Sequence, residues 1–206
     1  MSDNLPPSMH NLSISWLPNH FWSWLIVFSG ILLLFYAAKS IAEEKKRFHQ
    51  DGHWINWHHL KLFIPAWWTQ NFEQEKKFDE LYFFRADTHY DWYFALKFFN
   101  SNALSLSDIQ NTYFQNELIT IDDEAIVTVD KSFLLQNIEL QKSISNFLRI
   151  ETTATEKEEE RIYLDATWIE FDNGKILQCI SKSSVLNGGI EGPYVEEVIK
   201  GIKFTD

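Results

Sequence analysis

The sequence is short of several things, and each shortage excludes something. One of its 206 residues is cysteine, Cys179, so no intrachain disulfide can form. That is mild support for a reducing compartment. Seven glycines and five prolines are too few for a disordered or fibrous chain. No P-loop, GxGxxG, nucleophile elbow, HExxH or CxxC occurs, which removes every short motif that strongly signals catalysis or nucleotide binding. Positive charge is also scarce, with 18 Lys and Arg against 29 Asp and Glu and a net charge of −11. Residues 1–47 balance at +1, which leaves −12 for residues 48–206. Phosphate backbones repel so acidic a surface, and no nucleic-acid partner is expected.

What the chain does have begins near its N-terminus. Phe21 to Ala38, FWSWLIVFSGILLLFYAA, is a stretch of 18 residues without a charge. As a helix it covers about 27 Å, close to the hydrocarbon thickness of a bilayer. Phe21, Trp22 and Trp24 stand at one end, Leu32, Leu33 and Leu34 in the apolar run, and Tyr36 at the other end, where interfacial aromatics belong. These residues form the expected membrane anchor. A cleaved signal peptide needs a basic start and small residues before the cut. Residues 1–20 hold no Lys or Arg and Tyr36 lies just ahead of Ala38, so the expectation is an uncleaved anchor. Lys45, Lys46 and Arg47 follow the span, and cytoplasmic flanks carry the Lys/Arg excess. The predicted protein is single-pass in the plasma (inner) membrane, with its N-terminus outside and its C-terminal domain in the cytoplasm. The expected segments are a tail over 1–20, a transmembrane helix over 21–38, a basic and aromatic juxtamembrane link over 39–59, and an acidic α+β domain over 60–206.

Within that domain, KLFIP, ELYFFRA, YDWYFALKFFN and AIVTVD have the β-branched and aromatic content of strands. Ser107 and Gln110 suggest a capping box for a helix over Asp108–Leu118. FLLQNIELQKSISNFLRIETTATE reads as two strands turning near Gln141–Ser143. RIYLDATWIEF alternates Ile162, Leu164, Ala166 and Trp168 against Arg161, Tyr163, Asp165 and Thr167. Asn173-Gly174 then signals a hairpin with a type I′ turn. Pro193 suits the first turn of a last helix, Gly201 its end, and Tyr194, Val195, Val198 and Ile199 its buried stripe. Strands, a helix, more antiparallel strands and a final helix make an antiparallel sheet with packed helices.

FIPAWW near the start, GKILQCISKSS, and YVEEVIKGIKF at the end together resemble the PsbP-like fold, over residues 60–206. The resemblance implies an α+β domain from a functionally diverse family of photosystem accessory subunits, small regulatory binders and uncharacterised bacterial proteins. It implies no catalytic set. A membrane anchor and a cytoplasmic domain depart from the lumenal photosystem subunits.

The candidate sites are few. Asp87, His89 and Asp91 alternate and can share a strand face, a set that suits zinc or manganese. His49 and His53 are four apart and His58 and His59 follow, but Gly52 interrupts them; with Trp54 and Trp57 they read as a link at the membrane surface. Cys179 reads as a buried strand cysteine, and Glu156, Glu158, Glu159 and Glu160 as a solvated hairpin tip. No cofactor is expected. The leading expectation is a non-catalytic, membrane-anchored accessory protein whose acidic domain binds a partner protein. The alternatives are a small-molecule binder with an aromatic pocket around Trp92, Phe94 and Trp168, and a metal-dependent enzyme using Asp87, His89 and Asp91.

Overall fold

The structure is a computed structural model and describes residues 21–71, 79–86, 91–100, 104–134 and 137–205. The chain divides into two units, Met1–Arg47 and Phe48–Asp206. Helix α1 (Phe21–Asp51) provides the described part of the first and runs on into the second. Every side chain from Phe21 to Glu43 is exposed. Among the described residues it is the one helix long and apolar enough to cross a membrane.

The second unit is an α+β fold built on antiparallel strands. Its elements after α1 are β1 (His53–Trp57), β2 (Leu60–Ile64), β3 (Thr69–Gln70), β4 (Glu80–Phe84), β5 (Tyr93–Asn100), α2 (Leu106–Glu117), β6 (Ile119–Ile121), β7 (Ile126–Thr128) and a 3-10 turn (Lys131–Leu134). There follow α3 (Ile138–Lys142), β8 (Ile144–Glu156), β9 (Glu160–Phe171), β10 (Lys175–Ser184), α4 (Val185–Lys200) and β11 (Lys203–Phe204). The main sheet runs β3-β4-β5-β10-β9-β8-β6, with β7 also on β8, and a small sheet runs β1-β2-β11.

Alternation along the strands separates two cores. On one face, Trp68, Phe83, Trp92, Phe94 and Leu96 meet Leu60, Leu62 and Ile64 of the small sheet and Val195, Val198 and Ile199 of α4. On the other, Ile162, Leu164, Ala166 and Trp168 pack with Ile109 and Phe114 of α2. Leu62 and Ile64 are buried and Phe63 is only partly so, as the period of two requires. Trp68 is buried, while Trp67 lies over the edge against Tyr194 and Phe48. Among the described residues of this unit, the buried charges have partners. Arg149 grips Asp165 through two nitrogens at 2.9 and 2.8 Å, and Glu191 accepts from Trp68 Nε1 at 2.8 Å and pairs with Arg85.

Several expectations need correction. The predicted link over 39–59 is not a separate segment. The helix runs on to Asp51, the stop that Asp51-Gly52 signals in the sequence, but Phe48 packs on Phe63 and Tyr194, and β1 pairs along the whole length of β2. The second unit therefore starts at Phe48 and not at residue 60. Helix α2 begins at Leu106 because Ser105, not Ser107, closes the capping box, exchanging bonds with Asp108. The segment before β8 is the 3-10 turn and α3 rather than a strand, with Asn137 accepting from the Leu140 amide. Between β9 and β10 only Gly174 has positive φ, at 74°, so the hairpin is present but the turn is not type I′, which needs two such residues. Helix α4 starts at Val185, and Pro193 lies inside it. The glycine-rich first half looks like coil in sequence, yet Gly188 is buried on Tyr163, where a Cβ would fall 2.2 Å from the ring.

Candidate functional site

The residues singled out in the sequence scatter. Asp87 and His89 lie outside the described residues. Asp91 holds the start of α4: its carboxylate accepts from Ser184 Oγ and from Asn187 Nδ2, each at 2.5 Å. The Ser184 hydroxyl is the main cause of the lowered Asp91 pKa. His49 ends a helix that stops at Asp51, and His53 opens a strand, so their spacing of four does not place them on one helix face. His58, in the turn, lies 3.3 Å from Asp79. His59 stacks on Phe204, and burial, then Lys175, lowers its pKa. No group of three or more His, Cys, Asp or Glu able to hold a metal occurs among the described residues.

The thiol of Cys179 is fully buried, and burial pushes its pKa up. Trp92 and Phe94 belong to one core and Trp168 to the other, all fully buried, so the three cannot line a single pocket. The acidic run splits. Lys157 and Glu158 turn the β8–β9 hairpin with positive φ, whereas Glu156 is buried and holds Lys182 Nζ at 2.8 and 2.9 Å.

Two surfaces remain. The first is an open cleft of about 510 Å³ between α2 and the exposed side of β4, β5 and β10. Tyr82, Tyr93, Lys97, Phe99, Tyr113 and Gln178 line it. Lys97 pairs with Glu80 at 2.8 Å, and Tyr82 donates to the same carboxylate at 3.2 Å. Burial, aided by Glu80, raises the Tyr82 pKa to about 12, and burial also raises those of Tyr93 and Tyr113. The phenols therefore stay protonated at physiological pH, and the Tyr82 proton is already given to Glu80.

The second surface is the edge of the main sheet at β7. Ile126, Val127 and Val129 are 61, 56 and 70% exposed. Successive strand residues point to opposite faces, so an exposed Ile126–Val127 pair means that both faces of this strand are uncovered. On its inner side β7 pairs with β8, Val127 opposite Ile150. A groove of about 450 Å³ continues from it, with Val129, Leu106, Phe147 and Leu148 in its lining and Ser105 at the start of α2 beside them. Carboxylates flank the strand: Asp122, Asp123 and Glu124 precede it and Asp130 follows. Asp122 is tied down by Arg161 and Thr153, whose hydrogen bonds lower its pKa to about 2. Asp123, Glu124 and Asp130 stand exposed. Sequence reasoning missed this edge because an unbroken apolar run reads as a buried strand. The acidic residues at both ends were the available signal.

No family model and no curated protein matches the sequence. Solved structures do resemble the chain. Cyanobacterial PsbP (CyanoP) from Synechocystis sp. PCC 6803 aligns with a TM-score of 0.47 and 8% identity, over 75% of this chain and 91% of that one. PA94, a protein of unknown function from Pseudomonas aeruginosa, aligns with a TM-score of 0.41 and 11% identity, over 75% and 98%. Both likenesses are of chain path alone, at low identity.

Proposed function

We propose that this chain is a non-catalytic, single-pass membrane accessory protein whose acidic domain holds a partner protein at the membrane surface. Helix α1 is the anchor in the plasma (inner) membrane. Its N-terminus lies outside, and Lys45, Lys46 and Arg47 keep the domain on the cytoplasmic side. One observation carries the partner-binding reading: the β7 edge, where aliphatic side chains stand exposed on both faces of a strand. Uncovered apolar edge strands invite aggregation and are normally blunted or covered. A partner that covers this one removes the liability.

A second reading has its own support. The cleft beside α2, lined by Tyr93, Phe99 and Tyr113, suits a small molecule with an apolar or aromatic face. The metal-enzyme alternative built on Asp87, His89 and Asp91 is weaker, because Asp91 is already engaged by α4. A photoreactive residue at Val127 or at Thr112, in the full chain in its native membrane, separates the first two. A protein adduct formed from Val127 supports the accessory reading. Adducts formed only from Thr112, or none from Val127, overturn it.

A further inference from the structure

We propose that the β7 edge receives an extended, basic segment of its partner as an added strand, with aliphatic side chains of that segment seated in the groove beside α2. This inference rests on the partner-binding reading and supplies its chemistry. An added strand needs an open edge, and on the described residues β7 pairs only with β8. Main-chain hydrogen bonds then supply affinity and alternate side chains supply selectivity. The groove offers that selectivity: Leu106, Val129, Phe147 and Leu148 form an apolar part that takes an aliphatic side chain, beside Asp130 and Lys131.

Charge determines the kind of segment. Asp123 and Glu124 stand before the strand and Asp130 after it, all exposed. These ends repel an acidic strand and attract one with Lys or Arg at both ends. The same charges disfavour a second copy of this chain. Antiparallel pairing of two β7 strands about Val127 sets Glu124 against Asp130 twice. The same register sets Asp123 against Lys131, whose ammonium donates to the Ile144 carbonyl at 2.9 Å, and offsets part of that repulsion. Parallel pairing sets each carboxylate against its own counterpart. Like charges placed opposite each other across strands are destabilising, so the edge favours a partner with basic ends, which meets no such repulsion, over a second copy.

The test uses the full chain in lipid nanodiscs and two synthetic peptides. Both have the same alternating Val/Thr core; one carries Lys at each end and the other Glu. The Lys peptide is expected to bind and to slow amide exchange in β7, and its binding is expected to weaken by about tenfold from low to high salt as exposed charges are screened. The double change Glu124→Lys with Asp130→Lys lies on the exposed surface and is expected to reverse the preference toward the Glu peptide. A second variant, Val129→Asp, is expected to weaken both peptides at unchanged melting temperature. Equal binding of the two peptides, no binding, or binding that leaves β7 exchange unchanged overturns the proposal, as does concentration-dependent dimerisation that protects β7. If Val127 still crosslinks to a protein in membranes while the Lys peptide is ignored, the accessory reading stands and the basic-strand chemistry falls.

Discussion

At Gly188 the α4 backbone comes so close to Tyr163 that an added Cβ would lie 2.2 Å from two ring carbons and 2.4 Å from the Tyr163 Cβ. The neighbour cannot yield by swinging a flexible tip, because the near atoms are at the base of the ring. The far end is held as well: the Tyr163 hydroxyl donates to Glu151 at 2.5 Å. Gly188→Ala is therefore expected to destabilise the domain by about 1–3 kcal/mol, the usual cost of overpacking. Tyr163→Ala in the same chain should recover part of that loss, and thermal melts of both single variants and the double variant measure the coupling. Additive losses would mean that the two residues do not oppose each other. Such a contact is invisible in sequence, where NGGIEG reads as coil and the pairing partner lies on a strand more than twenty residues upstream.

Elements whose pattern is local were legible in the sequence. The strands β2, β5, β9 and β10 appear where alternating or β-branched runs place them, and α4 buries the Tyr194, Val195, Val198 and Ile199 stripe. Elements decided by tertiary packing were not. HWINW reads as part of a basic and aromatic link because His53, Trp54 and Trp57 suit a membrane surface, yet it is β1, and Trp57 enters the core. AIVTVD reads as an ordinary strand, and only the carboxylates at its two ends distinguish it from a buried one. The site was illegible for the same reason, since its exposure depends on what packs beside β8. The boundary error has a measurable consequence. Residues 48–206 keep Phe48 and all of β1 and are expected to fold as a soluble unit with a cooperative melt and dispersed amide resonances. Residues 60–206 lose the strand that pairs with β2, exposing its edge and the surface covered by Trp57, and are expected to aggregate. Equivalent melts for the two fragments would show that β1 is dispensable.

For the whole molecule, the proposed function has the anchor and the acidic domain work together. An open edge three residues long makes a weak docking site in free solution. Held at a membrane beside a partner in the same surface, it acts at a high effective concentration, and modest contacts suffice. The charge division supports the same arrangement: +1 over residues 1–47, with its cations next to the span, and −12 beyond. A net charge of this size keeps the domain soluble and biases it toward basic partners. The arrangement depends on which side of the membrane the domain occupies, and that side is directly measurable. A cytoplasm-active reporter and a translocation-active reporter, each fused in turn to Asp206 of the full chain, are compared in intact cells. The account predicts activity from the cytoplasm-active fusion alone, in a product of full length that resists carbonate extraction. Activity from the translocation-active fusion alone, or a product released from the membrane without its first 38 residues, would contradict it.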